Sequence, residues 1–129
     1  MKTLILHAGL NAHAPSATAR TVQDADQRDG YAVCSWHYII DRAGVCTPCR
    51  PYKLPSVREN FPGIAREALS VLLIGGWSDK GPVSDFTFEQ QRAVLELYED
   101  LTFGNCVSGI VKVYSPVPTP KEVSEWLHL

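Results

Sequence analysis

No apolar run in this chain is long enough to cross a bilayer. The longest, Ala68–Ile74, contains a serine and is far shorter than the roughly 20 residues that a spanning helix needs. The N-terminal stretch has one lysine and a short apolar run, without a signal-peptide core and a small-residue cleavage site. These absences predict a protein that has no transmembrane segment and is cytoplasmic.

The chain also lacks an excess of charge of either sign. Its 12 basic and 14 acidic residues leave a formal net charge of −2. A surface that binds nucleic acid or adheres to an anionic cell wall needs a basic excess, which is missing here. The balance favours a protein or small-molecule partner and predicts that neither nucleic acid nor a membrane is bound.

Repeats and low-complexity segments are absent as well. The 129 residues are 45% hydrophobic and 20% charged, which is typical of a single globular domain, here residues 1–129.

Cysteine is sparse. Four cysteines without an export signal favour reduced thiols or metal ligands over a disulfide framework.

Local patterns predict alternating strands and helices. The run Ala68–Ile74 is interrupted only by Ser70, which favours a central strand buried on both faces. A capping box at 87–90 indicates the start of a helix. The predicted order is a strand at 2–7, a helix at 17–28, a hairpin turning at 41–44, a strand at 68–74, a helix from 87, a strand at 106–114 and a helix from 119. This order predicts an α/β fold, a central mixed sheet flanked by helices.

Four segments stand in an order and spacing that match a known family. They are LILHA at 4–8, CSWHYIIDRAG at 34–44, LSVLLIGGWSDKG at 69–81 and FTFEQQRAVLEL at 86–97. In these segments the chain resembles the type 2 N-acetylmuramoyl-L-alanine amidases. It is most similar to the bacteriophage lysozyme-type amidase and more distantly similar to the peptidoglycan recognition proteins. The resemblance implies a single-domain type 2 amidase-like fold over nearly the whole chain.

The resemblance also implies what has become of the family's zinc site. In the family, two histidines and a cysteine or equivalent ligand hold a zinc ion, whose bound water attacks the amide between muramic acid and L-alanine with help from a tyrosine. His7 matches the first ligand. The other two ligand positions fall at or beside Tyr114 and Thr119, without histidine or cysteine, and Trp36 replaces the tyrosine. The resemblance therefore implies a degenerate site with no metal cofactor.

The cysteines offer an alternative zinc site. If the hairpin turns at Arg42-Ala43, Trp36 pairs with Cys49, and Cys34 lies diagonal to Cys49 on the same face. Both thiols then face the cleft that His7 borders, and a site of His7, Cys34 and Cys49 is chemically acceptable for zinc. The simpler interpretation is that these cysteines are buried thiols without a ligand.

Other candidate binding residues lie on two loops. Trp77 is a large indole on a polar loop, which fits an anchor for a binding partner. Arg50 and Arg58 lie in a proline-rich connection and fit a groove wall for an acidic partner. His37 follows Trp36 and is predicted to be a core histidine on the opposite strand face, because side chains alternate along a strand.

Three functions remain open at this stage. The resemblance favours a catalytically inactive amidase-like protein of phage origin, which binds and regulates or inhibits a partner protein in the host cytoplasm. Phage amidases of this type also bind and inhibit their own RNA polymerase. The alternatives are an amidase with the rebuilt zinc site and a non-catalytic binder of peptidoglycan fragments.

Overall fold

The computed structural model describes residues 2–9, 17–58, 66–75, 77–78, 81–82, 86–104 and 107–110. Its elements are β1 (Lys2–Gly9), α1 (Ala19–Arg28), β2 (Tyr38–Ile40), β3 (Cys46–Pro48), β4 (Ala68–Ile74), β5 (Trp77–Ser78), β6 (Gly81–Pro82), α2 (Phe88–Phe103) and β7 (Val107–Ile110). The predicted helix from 119 and the end of the predicted strand at 106–114 lie outside the described residues. For the rest, the observed order confirms the α/β prediction.

The main sheet is mixed and has five strands in the order β3-β2-β4-β1-β7. The central strand β4 lies parallel to β1 on one side and to β2 on the other. β2 turns back into the antiparallel β3, and β7 extends the sheet parallel to β1. Every residue of β4 is buried, as its apolar run predicts, because strands flank both of its edges and helices cover both of its faces.

The two helices cover opposite faces of the sheet. Val71 of β4 packs in one cluster with Val94 of α2. Leu72 and Ile74, whose positions alternate with Val71, pack in a second cluster with Val22 of α1. Among the described residues, no helix is long and apolar enough to span a bilayer.

Both helices begin and end at residues that the sequence marks. Thr18 precedes α1, and its N–H donates to Thr21 Oγ1 at 3.1 Å. The helix therefore starts two residues after the predicted position 17. Past its last residue, Gly30 takes a positive φ of 96°, which favours glycine. At α2, Thr87 Oγ1 accepts from the N–H of Gln90 at 3.1 Å, and Gln90 Oε1 accepts from the N–H of Thr87 at 3.0 Å, so the predicted capping box is formed.

The register of the β2–β3 hairpin differs by one residue from the prediction. Ile39 lies opposite Thr47, and the N–H of Cys49 donates to the carbonyl of His37 at 2.9 Å. Cys49 is therefore opposite His37, and the predicted pairing of Trp36 with Cys49 is wrong.

The hairpin turn explains this difference. Asp41 Oδ1 accepts from the N–H groups of Ala43 at 3.0 Å and Val45 at 2.9 Å, and Gly44 has a positive φ of 84°. A Cβ at Gly44 would also lie 2.6 Å from the carbonyl oxygen of Glu89, so glycine is required there. The turn is centred on Ala43 and contains an odd number of residues, whereas a turn at residues 42–43 contains an even number.

Candidate functional site

His7 and Trp36 form the centre of the site. Both side chains are buried, and the imidazole meets the indole edge-to-face, with ring centroids 5.0 Å apart and planes at 67°. Trp36 lies just before β2 and packs beside Ile39 and Leu72 in the cluster under α1. The pair therefore connects β1 with the segment that leads into β2, across the central strand.

Arg58 places a cation over the indole of Trp36. Its Cζ lies 4.7 Å from the ring centroid of Trp36 and 5.5 Å from that of Tyr31. Nη2 is 3.0 Å from Asp26 Oδ1, and Nε donates to Ser35 Oγ at 2.8 Å. The Arg58 side chain is 32% exposed. The site thus presents a partly exposed guanidinium held beside two aromatic rings.

Asp26 is the buried anion that holds Arg58. Its Oδ2 accepts from the N–H and the hydroxyl of Ser35, each at 2.7 Å. Burial by itself would raise the pKa of Asp26. The hydrogen bonds from Ser35 and Cys34, together with the charge of Arg58, outweigh burial and lower the pKa below its ordinary value. The carboxylate is therefore ionised at neutral pH.

Sequence reasoning missed Asp26, Tyr31 and Ser35. One signal for Asp26 was present, because it follows Ala19 and Val22 at helical spacing and these three are the buried residues of α1. A carboxylate on the apolar stripe of a helix calls for a buried cation or hydrogen-bond donors. No comparable local signal marked Tyr31 or Ser35, which lie in the irregular segment after α1.

His37 is fully buried, which confirms the prediction of a core histidine. Its Nδ1 accepts from the N–H of Ser70 at 3.1 Å, so Nε2 carries the proton and donates to the carbonyl of Leu54 at 2.9 Å. The prediction that His37 and Trp36 lie on opposite strand faces assumed that both belong to a strand, but both precede β2, where alternation does not apply. Trp36 packs in the same cluster as Ile39.

The structure brings Cys34 and Cys49 together beside the cluster under α1. Both are half-buried free thiols. Gln23 Nε2 donates to Cys49 Sγ at 3.2 Å. Cys46 packs against the cluster under α2 instead, where burial raises the pKa of its thiol to about 11.

The residues of the rebuilt zinc site do not meet in one ligand set. Among the residues that the structure describes, no three histidine, cysteine, aspartate or glutamate side chains are grouped so that they could hold a metal ion. His7, Cys34 and Cys49 all belong to the described residues, whereas Tyr114 and Thr119 lie outside them. The described donor set therefore does not fit the zinc ion that the resemblance implies for active amidases.

Trp77 and Arg50 are the other predicted binding residues. Trp77 begins β5 opposite Pro82, and its side chain is not among the described parts of the chain. Arg50 Nε donates to the carbonyl of Pro55 at 2.9 Å, and Nη1 donates to the carbonyl of Cys34 at 3.3 Å. In this conformation Arg50 holds its own loop against the segment after α1.

A pocket of about 650 Å³ opens beside the Arg58 cluster. Its walls are one side of α1, the segment 30–34 and Cys49. Asp26 and Tyr31, which contact Arg58, also line it. The pocket and the guanidinium are therefore parts of one surface.

No protein-family model and no curated protein matches this chain. Solved structures do share its fold. The N-acetylmuramoyl-L-alanine amidase LysCS from Clostridium intestinale has a TM-score of 0.67 at 16% identity, over 99% of this chain and 84% of that one. The human recognition protein PGRP-IBETAC, in complex with glycosamyl muramyl pentapeptide, has a TM-score of 0.68 at 15% identity, over 98% and 84%. The complex of recognition proteins LCa and LCx bound to tracheal cytotoxin has a TM-score of 0.70 at 14% identity, over 98% and 83%. The chain has the amidase and recognition-protein fold.

Proposed function

We propose that this chain, which has the fold shared by the type 2 amidases and the peptidoglycan recognition proteins, binds peptidoglycan fragments without hydrolysing them. The observation that carries the proposal is the arrangement of His7, Trp36 and Arg58, in which the imidazole contacts an indole and a guanidinium lies over that indole. The muramyl-peptide ligand of the human protein with the same fold supports this choice of ligand.

Hydrolysis needs more than the described residues supply. A catalytic zinc ion requires three protein ligands and an open position for water. The sequence has neither histidine nor cysteine at Tyr114 and Thr119, and the described residues contain no group of three that could replace them. Trp36 keeps an aromatic ring and an N–H donor but has no phenolic hydroxyl.

Binding needs only what the described site has. The stem peptide of a muramyl peptide carries carboxylates, and a guanidinium binds a carboxylate through two parallel hydrogen bonds. Arg58 is pre-oriented for this role because Asp26 and Ser35 hold its Nη2 and Nε. Tyr31 stands beside it, partly exposed, and offers a ring face to the apolar side of a sugar.

A direct test combines binding with product analysis. Purified protein is titrated with a muramyl pentapeptide by calorimetry, and the same mixtures, with and without added zinc, are analysed for free peptide by mass spectrometry. We expect saturable binding, far less than one zinc per chain and no released peptide. Stoichiometric zinc with peptide release would show an active amidase and overturn the proposal.

Replacing Arg58 tests the contact itself. We expect Arg58→Gln to weaken pentapeptide binding at least about tenfold, because the carboxylate loses its charged partner. Arg58→Lys keeps the charge beside Asp26 but loses the planar fork, so its affinity should fall between the two. Arg92→Gln, on α2 at the other face of the sheet, is the matched control and should bind as the parent does. Equal affinity in Arg58→Gln and Arg92→Gln would remove Arg58 from the binding site.

A protein partner is the second candidate. Tyr31, Val33 and Val57 are exposed on the two segments that surround Arg58, and aromatic residues and arginine are enriched at protein interfaces. We propose under this candidate a pseudoenzyme of phage origin that acts in the host cytoplasm and inhibits the protein it binds.

Truncating Trp77 tests that second candidate. The assay is a pull-down from host lysate, followed by titration of the protein partner that it captures. Trp77→Ala should leave the unfolding transition unchanged and weaken binding of this partner at least about tenfold, since truncation of an anchor typically costs about 2 kcal/mol or more. Phe103→Ala is the matched control, because this phenylalanine is 90% exposed at the end of α2. If Trp77→Ala binds as tightly as the parent, the interface lies elsewhere, and the connection from Arg50 to Arg66 is the next segment to test.

A further inference from the structure

Cys34 and Cys49 have an arrangement that peptidoglycan binding does not use. Cys34 lies in the segment after α1, and Cys49 follows β3. Both cysteines pack against the cluster under α1 and line one pocket, and neither is in a disulfide. The backbone holds Cys49 in place, because its N–H donates to the carbonyl of His37 at 2.9 Å.

The two thiols have different surroundings. The neighbouring Cys49 and burial, with a smaller contribution from Asp26, raise the pKa of Cys34. The neighbouring Cys34 and the hydrogen bond from Gln23 Nε2 lower the pKa of Cys49 to about 7, and the protonated Cys49 thiol donates to the carbonyl of Thr47 at 3.4 Å. At neutral pH part of the Cys49 population is therefore the nucleophilic thiolate, and Cys34 is its protonated neighbour.

Both thiols line the pocket of about 650 Å³ beside α1. Such a volume accommodates a small organic molecule. Cys46, although separated from Cys49 by only two residues, packs against the cluster on the other face of the sheet. The partner of Cys49 in the folded protein is therefore Cys34 and not Cys46.

We propose that Cys34 and Cys49 form a reactive dithiol site that reduces a small organic disulfide entering this pocket, with Cys49 as the attacking thiol and Cys34 as the resolving thiol. The exchange reaction does not require the proposed binding of peptidoglycan fragments, although Asp26 and Tyr31 belong to both sites. It requires no metal and no residue outside the described part of the chain.

The reaction has two exchange steps. The Cys49 thiolate attacks one sulfur of the small disulfide, whose S–S bond breaks, and the departing thiolate takes up a proton. The Cys34 sulfur then attacks Cys49 Sγ in the mixed disulfide, and the second small thiolate leaves with the proton that Cys34 gives up. One small disulfide is reduced to two thiols, and the two protein thiols are oxidised to one disulfide.

The test uses the reduced, full-length protein and oxidised glutathione at pH 7 without oxygen. We expect two glutathione molecules to be released per chain and a Cys34–Cys49 disulfide to be found by peptide mass spectrometry. Cys34→Ser should stop at a mixed disulfide on Cys49 and release one glutathione. Cys49→Ser should lower the rate of exchange at this site at least about tenfold, because the activated thiolate is lost. Cys46→Ser is the matched control and should react as the parent does.

A second measurement needs no variant. The unmodified protein is treated with limiting iodoacetamide, and alkylation of Cys34, Cys46 and Cys49 is followed by mass spectrometry. We expect Cys49 to be alkylated at least about tenfold faster than the other two. Equal rates at the three cysteines, or a glutathione-induced disulfide that pairs Cys49 with Cys46, would overturn the proposal.

Discussion

Trp36→Ala lowers the free energy of unfolding by about 3–5 kcal/mol, the usual cost of removing a buried tryptophan. The indole is 8% exposed and packs with Ile39 and Leu72 under α1. It also contacts the imidazole of His7 and lies under the guanidinium of Arg58. Its loss leaves a cavity and removes the support of Arg58, so pentapeptide binding should fall together with stability. Urea unfolding followed by far-ultraviolet circular dichroism measures the change.

Trp36→Phe and Trp36→Tyr are the matched controls. Each retains an aromatic ring and leaves a smaller cavity, so each should lose less stability than Trp36→Ala does. A loss below about 1 kcal/mol in Trp36→Ala would contradict the core position of the indole, because surface truncations have effects of that size. Trp36→Tyr also restores the hydroxyl of the amidase family. We expect no hydrolysis from this variant, and measurable hydrolysis would show that a metal site already exists.

Asp26→Asn lowers the free energy of unfolding by about 2–4 kcal/mol at pH 7, because it removes a buried charge that Arg58 and Ser35 compensate. The amide has nearly the same shape as the carboxylate, so the loss reports charge and hydrogen bonding rather than packing. Asp24→Asn is the matched control. Asp24 is an exposed partner of Arg20 on the same helix, and its replacement should change stability by no more than about 0.5 kcal/mol.

The dependence on pH identifies the cause of this loss. The pKa of Asp26 is lower in the folded protein than the ordinary value of 3.8, so the stability that it contributes is present in full above pH 3.8. This contribution is lost as the pH falls from 3.8 through the lower folded pKa. The parent and Asp26→Asn should therefore converge in stability at acid pH. A constant difference down to the acid limit of folding would assign the effect to the shape of the site and contradict the electrostatic explanation.

Regular structure was predictable where neighbouring residues control it. The buried strand Ala68–Ile74 has the boundaries that its apolar run predicts. The capping box at Thr87 and the glycine after α1 also end or begin helices where they were expected. These features depend on side chains within a few residues of one another, which is why the sequence displays them.

The family resemblance supplied the architecture but not the function. Its four segments predict the fold that the solved amidase and recognition-protein structures share with this chain. That fold occurs in the LysCS amidase and in a recognition protein bound to a muramyl pentapeptide, so it does not by itself distinguish cleavage from binding. The distinction depends on individual side chains, beginning with His7, Trp36 and Arg58.

Contacts between distant segments were not predictable. A hairpin turn with one more residue shifted Cys49 from Trp36 to His37, and Asp26 met Arg58, which is 32 residues away in the chain. Such contacts depend on strand register and on how a helix lies over the sheet, and both are set by packing of the whole core. Local patterns therefore sufficed for the strands, the helix ends and the buried centre of the sheet. The cation beside two rings and the paired thiols follow only from the folded arrangement, because each joins segments whose positions no short stretch of sequence specifies.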